Sequence, residues 1–376
     1  MKRRFLATVL SVGMLMISSS AVFAEGPRDE DRNRSHDQDE FAVGAVYTMT
    51  NAPDGNQVVI FDRDEDGTLT NAGSVSTGGM GSGGGLDPLA SQNSLVLSTD
   101  NRWLLAVNAG SHDISVFRVR PDGLTLVNTT DSGGFFPVSV TVYHNLVYVL
   151  NAGTSPNITG FNLSHGGRLT PLAGSSRSLG AGAFSQVGFD PQGRTLVVTD
   201  RADSEILVYS VDDDGLPVAS PVTSTSNGQT PFGFLFDRRG HLLVVEVGAN
   251  AVSSYQILAD ATLQVISGSV PNGQRAACWI AGNERGRVFT ANPGTGTLSA
   301  YRVKNRNGQV ALLDGAAGSG NKPLDLAVTT NGRFLYALDP ARGGIDGFEI
   351  AHDGSLADLG AIGGDLSVFA QGVAAR

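Results

Sequence analysis

One aromatic position recurs along the chain at a nearly fixed interval: Phe61, Phe117, Phe161, Tyr209, Tyr255, Tyr301 and Phe348, spaced by 56, 44, 48, 46, 46 and 47 residues. Each lies in a short run that alternates apolar and polar residues, as in Ile206-Leu207-Val208-Tyr209-Ser210-Val211. A period in the mid-forties built from short strands marks propeller blades. One blade cannot bury both of its own faces, so the repeats must stack around an axis. The expected fold is all-β: a seven-bladed β-propeller with four antiparallel strands per blade, a to d from the axis outward.

The pieces of the repeat have separate signatures. Strand b is the most hydrophobic, as in Trp103-Leu104-Leu105-Ala106-Val107 and Leu242-Leu243-Val244-Val245, and suits a strand covered on both faces. It ends on a polar residue in every repeat: Asn51, Asn108, Asn151, Asp200, Glu246, Asn292 and Asp339. Strands c and d are joined by Asp-Gly, Gly-Gly or Asn-Gly, pairs that tolerate the positive φ of hairpin turns. The fifth repeat departs from this with Ala259-Asp260-Ala261-Thr262.

The first repeat has no strand a before its strand b. A surplus segment, Phe369-Ala370-Gln371-Gly372-Val373, resembles the strand-a openings and follows the last strand d. The C-terminal strand is therefore expected to complete blade 1 and close the ring, which removes open sheet edges. The long first interval holds an insertion, Gly78 to Leu86, expected near the channel mouth as a flexible lid.

Composition limits partners and compartment. The net charge of −10 and pI near 5.0 disfavour nucleic acid and anionic membranes. Lys2, Arg3 and Arg4, the apolar stretch from Phe5 to Ile17, and Ala21-Val22-Phe23-Ala24 read as a signal peptide over residues 1–24. The expected location is secreted or periplasmic. Residues 25–41 read as a charged, disordered arm and 42–376 as the propeller, expected as a monomer. Cys278 is the only cysteine, so no internal disulfide forms.

Two motifs have plainer structural readings. Gly79-Met80-Gly81-Ser82-Gly83-Gly84 fits a dinucleotide fingerprint, but a proline-containing loop and a strand follow it, not a helix. Asp62, Asp64, Asp66 and Gly67 begin like a calcium loop, yet Gly73 stands where its bidentate glutamate belongs. The six histidines show no metal-binding spacing, so no metal or other cofactor is expected.

The strand-a openings should face the axis. They supply Gln92, Gln186, Cys278, Trp279, Asp325 and Gln371 as ligand-binding positions. Cys278, with no histidine near it in sequence, fits a packing role. The polar ends of strand b either cap turns or carry chemistry; Glu246, and Asp200 with Arg201, are best suited to acid–base work.

Three stretches carry a family resemblance: Leu104 to Ser111, Ile114 to Leu124, and Phe189 to Leu196. They resemble the lactonase-type seven-bladed propellers, which include the propeller form of 6-phosphogluconolactonase and carboxymuconate-lactonizing enzyme. The resemblance runs over about residues 42–376 and implies a sugar-lactone or related cyclic-ester substrate and no required metal. The family's Pro-Arg-His opening is replaced here by Ala183-Phe184-Ser185-Gln186 and Thr230-Pro231-Phe232-Gly233. Two functions fit. One is an exported hydrolase of an unphosphorylated lactone, in which Glu246 or Asp200 activates water and Arg201 with the Gln92 and Gln186 amides stabilises the oxyanion. The other is a non-catalytic propeller that binds a small sugar-like ligand or a protein partner on its top face.

Overall fold

The computed structural model describes residues 43–304, 306–363 and 365–376. The expected signal peptide and the whole of the charged arm, residues 1–24 and 25–41, lie outside the described residues. Seven antiparallel sheets form from the described strands, with sequential strands side by side in six of them. In the seventh, Gln371–Ala375 lies against Gly44–Met49, so the last strand of the chain becomes strand a of blade 1. The other a strands are Leu95–Leu97, Pro137–Tyr143, Phe184–Phe189, Pro231–Phe236, Trp279–Gly282 and Leu326–Val328. Each a strand neighbours the next around the axis, and Leu326–Val328 neighbours Gln371–Ala375, so the ring is closed.

The recurring aromatic residue sits in strand c of its blade and is buried in all seven cases. It packs between blades. Tyr255 of blade 5 joins Val197, Ile206 and Val208 of blade 4 in one cluster. Phe61 of blade 1 joins Phe334 and Tyr336 of blade 7 in another. Burying such a side chain contributes about 1.5–3 kcal/mol, and the gain exists only when a neighbouring blade covers it. Strand b is buried along nearly its whole length, as its composition requires, whereas the d strands are exposed or half-buried.

Two blades depart from the pattern. The outer edge of blade 3 splits into Leu169–Pro171 and Arg177–Ser178, because Pro171 has no N–H with which to continue a ladder. In blade 5, Ala261 takes the left-handed φ of 65° that glycine adopts in the equivalent turns.

The insertion ends as a plug. Its glycines run over the ends of blades 1 and 2, where Gly81 N–H donates to Ala52 O (2.8 Å) and Gly110 N–H to Met80 O (2.9 Å). The chain then enters the channel. Ser91 Oγ donates to Val138 O of blade 3 (2.8 Å), and Gln92 N–H donates to Ser185 O of blade 4 (3.1 Å). From the far side, Trp279 Nε1 of blade 6 donates to Ser91 O (2.8 Å). The expected lid, Gly78 to Leu86, is thus bonded to blades 1 and 2, and Ser91 and Gln92 behind it extend the stopper to blades 3, 4 and 6.

Candidate functional site

The polar ends of strand b are buried in every blade. Asn108 and Asn292 bond neighbouring side chains, whereas those of blades 1, 3, 4, 5 and 7 bond backbone groups. The linker arriving from the previous blade has unpaired amide groups where it turns toward the axis, and these residues satisfy them. Asn51 donates to Phe369 O (3.1 Å), and Asn151 donates to Ser132 O (3.1 Å). Asp200 accepts the N–H groups of Ala183 and Ala202 (3.0 and 2.9 Å). Glu246 Oε1 accepts from Gly228 N–H (2.7 Å), the Ser226 hydroxyl (2.9 Å) and the Tyr255 hydroxyl (3.1 Å). Its Oε2 accepts from the Ser269 hydroxyl (2.7 Å). Both oxygens of Glu246 and Oδ1 of Asp200 thus clasp backbone and linker groups, a holding duty that differs from the expected activation of water.

Blade 7 carries an unusual version of this clasp. In blades 2 and 6 the strand-b asparagine donates to a strand-c serine, Asn108 to Ser115 Oγ (2.8 Å) and Asn292 to Ser299 Oγ (2.9 Å). Blade 7 has Asp339 and Asp346 in those places, two carboxyls that can share a hydrogen bond only while one of them is protonated. Asp346 pairs with Arg342 (2.8 Å) through Oδ1, but when both carboxyls are ionised its buried Oδ2 has no donor to meet. Burial, opposed by Arg342 and reinforced by Asp339, pushes the Asp346 carboxyl up to about 7. A folded-state value above the unfolded one means that stability is lost as pH rises from about 4 to 7. Asp346→Asn supplies the missing donor and removes this loss. It should raise stability at pH 8 by roughly 2 kcal/mol and change little at pH 4. Thermal melts at the two pH values test this; equal shifts at both would contradict it.

The two channel glutamines also have fixed duties. Gln92 reaches from blade 2 across the axis to blade 6, where Nε2 donates to Ile280 O (2.7 Å) and Oε1 accepts Ile280 N–H (3.0 Å). Gln186 does the same between blades 4 and 5, donating to Phe234 O (3.0 Å) and accepting Phe234 N–H (2.7 Å). Each side chain imitates a strand and satisfies buried backbone that its neighbours leave unpaired. Each amide thus spends its oxygen and one N–H on backbone, a structural duty beside the expected oxyanion role. Gln92→Ala should destabilise the fold by about 2–3 kcal/mol, since two buried groups on Ile280 lose their partners. Denaturant unfolding would show this as a lower midpoint; an unchanged midpoint would mean the bridge is unimportant.

The other expected positions converge on one place, around a residue of the plug. Asp87 lies half-buried at the channel mouth with φ at 52°, and its Oδ1 accepts Ala90 N–H (3.1 Å). Gln371 hydrogen-bonds to its carboxyl, and Arg201, Cys278 and Asp325 lie within electrostatic reach of it. Burial raises the Asp87 carboxyl to about 7, against the pull of the Ala90 N–H and of the Arg201 charge. Asp325 is raised to about 8, first by burial and further by the Asp87 charge, although Leu326 N–H donates to it (3.0 Å). Burial and Asp87 push the Cys278 thiol well above its usual range, and Sγ donates to Ala276 O (3.1 Å). It stays a thiol and is no nucleophile. Arg201 brings a buried Nε with no hydrogen-bond partner. Trp279 is fully buried against Phe232 (ring centroids 5.3 Å apart) and forms the wall behind this cluster.

The arrangement is a pair of carboxyls that titrate near neutrality beside one guanidinium. It suits a base, an acid and an oxyanion partner. Asp87 escaped the sequence reading because it lies in the insertion's tail. The available signal was small: a lone acid before Pro88 in an otherwise uncharged glycine-rich stretch.

The family model described as "Lactonase, 7-bladed beta-propeller" matches residues 45–179, 175–260 and 248–363, well over half of the chain. The chain belongs to this lactonase family. Solved structures agree on the fold. A putative 6-phosphogluconolactonase from Bacteroides fragilis is similar at 18% identity and TM-score 0.69, over 89% of this chain and 98% of that one. A periplasmic gluconolactonase from Pseudomonas aeruginosa is similar at 16% identity and TM-score 0.67, over 86% and 98%. A curated β-ketoacyl-[acyl-carrier-protein] synthase III from Acidiphilium cryptum is 25% identical over 171 residues, 43% of this chain. The chain spans about half (53%) of that relative's length. This lactonase-family propeller therefore carries its candidate chemistry at the mouth stoppered by the plug.

Proposed function

We propose that the protein is an exported hydrolase that opens an unphosphorylated sugar lactone at the Asp87 mouth of the channel. The observation that carries this reading is the Asp87–Asp325 pair beside Arg201, held at about 7 and about 8 in a member of the lactonase family. The lower value belongs to the more exposed carboxyl and the higher to the buried one. Asp87 in its ionised form takes a proton from water, and the oxygen of that water attacks the lactone carbonyl carbon. The developing oxyanion faces the Arg201 guanidinium. The ring C–O bond then breaks, and neutral Asp325 gives its proton to the departing alkoxide. The product is the open hydroxy acid, and exchange with solvent returns the two carboxyls to their starting states. No cofactor is needed.

Arg201 is the one cation in the cluster, and a phosphorylated substrate would call for more. Export rests on the signal-like residues 1–24 and on the periplasmic location named for the Pseudomonas structure. The test is a panel of aldonolactones and 6-phosphogluconolactone followed by pH-stat with the chain lacking residues 1–24. Turnover of an unphosphorylated member above spontaneous opening is expected. Preference for the phosphorylated lactone would overturn the substrate class. Saturable binding without turnover would leave a non-catalytic propeller using the same mouth, a reading favoured by the commitment of both glutamine amides to structure.

A further inference from the structure

The other end of the channel is open and chemically different. Beyond the Gln92 bridge lies a cavity of about 650 Å3 to which all seven a strands contribute. Its walls are mainly apolar: Val96, Phe189, Leu235, Phe236 and Val328 line it and all are only half-buried, with Thr141 and Asn283 adding polar groups. Its inner end is made of amides, those of Gln92, Asn93 and Gln186. Gln92 and Gln186 each use one N–H and the oxygen on backbone, which leaves each a second N–H. The outer rim carries mixed charge. Arg238 stands beside Asp237 and Glu284, and Asp237 Oδ2 is paired with the His241 ring at 2.7 Å. No single sign dominates there to recruit an ion.

We propose that this end of the channel is a second binding site, for a neutral, mainly apolar ring compound that enters with a carbonyl or ether oxygen foremost. The volume is that of a drug-sized ligand, and apolar walls with a few polar groups at one end are the usual makings of such a site. The apolar body displaces water from the walls, and the leading oxygen accepts from the spare glutamine N–H groups. Burying the same walls under a sugar would strand its hydroxyls against Val96 and Val328 without partners. The site is thus matched to a different class of molecule from the lactone mouth. The Gln92 bridge and the plug keep the two ends apart.

The probe is 6-propionyl-2-dimethylaminonaphthalene, a neutral fused-ring ketone whose emission shifts to the blue in apolar surroundings. Titrated into the intact protein, it should give a blue-shifted signal that saturates at one probe per chain. Val96→Trp and Val328→Trp fill the cavity from two different blades and should each weaken binding by about tenfold or more. Val96→Ile serves as the control for folding and should keep it. Asp87→Asn, at the opposite mouth, should leave probe binding unchanged, and Val96→Trp should leave lactone hydrolysis unchanged. Absence of saturable binding to the unmodified protein overturns the proposal outright. So does equal binding by both tryptophan variants, or loss of binding in Asp87→Asn. None of these outcomes touches the reading of the lactone mouth, which stands or falls on hydrolysis.

Discussion

Asp87→Asn and Asp325→Asn each lower kcat for lactone opening by about 10²–10⁴-fold, the usual worth of a positioned general base or acid. Both replacements keep the shape of the carboxyl and remove its proton chemistry. The pH profile separates them. The base must be ionised and the acid neutral, so kcat/KM is expected as a narrow bell with limbs near 7 and 8, reported as properties of the coupled pair. Asp87→Asn removes the acidic limb from what activity remains, and Asp325→Asn removes the alkaline one. Stability moves the other way. Both carboxyls have folded-state values raised above about 4, so their burial costs stability that grows as pH climbs toward 7 and 8. The two variants should therefore melt higher than the parent at pH 8 and alike at pH 4. Activity lost together with stability gained is the signature of a site held under electrostatic strain. A variant that keeps full turnover, or that loses activity only because it melts lower, removes Asp87 and Asp325 from the mechanism.

What the sequence disclosed and what it withheld follow from the range of the forces involved. The recurring aromatic was legible because its burial repeats with the blade, so a local pattern carries the tertiary fact. The same holds for Asn51, Asn108 and the other strand-b ends, whose position was readable although their duty was open. Their duty depends on a linker some twenty residues away, as when Glu246 accepts from Ser226 and Gly228. Gln92 was expected at the axis and is there, but it bonds a residue 188 positions later, and nothing in a repeat period reports which groups meet across a ring. Asp87 was least legible of all. Its segment has no counterpart in the other blades, so the repeat gave no frame in which to place its side chain. Arg201, Asp325, Cys278 and Gln371 were named from their register, and the structure brings all four to the residue that register could not supply.

Removing residues 365–376 should abolish the folded state. The ladder of the last strand on Gly44–Met49 pairs Val46 with Ala375, Tyr47 with Ala374, Thr48 with Val373 and Met49 with Gln371. Side chains and termini reinforce it: Thr48 Oγ1 donates to Gly372 O (2.6 Å), Arg376 N–H to Ala45 O (2.9 Å), and Arg63 Nε to Arg376 O (3.2 Å). Every residue of Gly44–Met49 is buried, so its backbone cannot turn to water when the partner strand leaves. Each stranded group costs about 1–3 kcal/mol, and several at once exceed a native margin of about 5–15 kcal/mol. The loss also spreads, because Gln371–Ala375 is the neighbour of both Leu95–Leu97 and Leu326–Val328 in the ring. Without it the seam between blades 7 and 1 opens and Val373 and Ala374 vacate two separate core clusters. Circular dichroism melts and limited proteolysis of the truncated chain are the measurements. The expected result is no cooperative transition and rapid cleavage, with partial recovery when a peptide of residues 365–376 is added in excess. Gly372→Val gives a graded version, because φ there is 72° and a Cβ would lie 2.7 Å from that of Leu95. It should melt lower than the parent but still cooperatively. A truncated chain that melts within a few degrees of the full one would mean that the six complete blades hold their curvature without the clasp, and that closure is a consequence of the fold and not its cause.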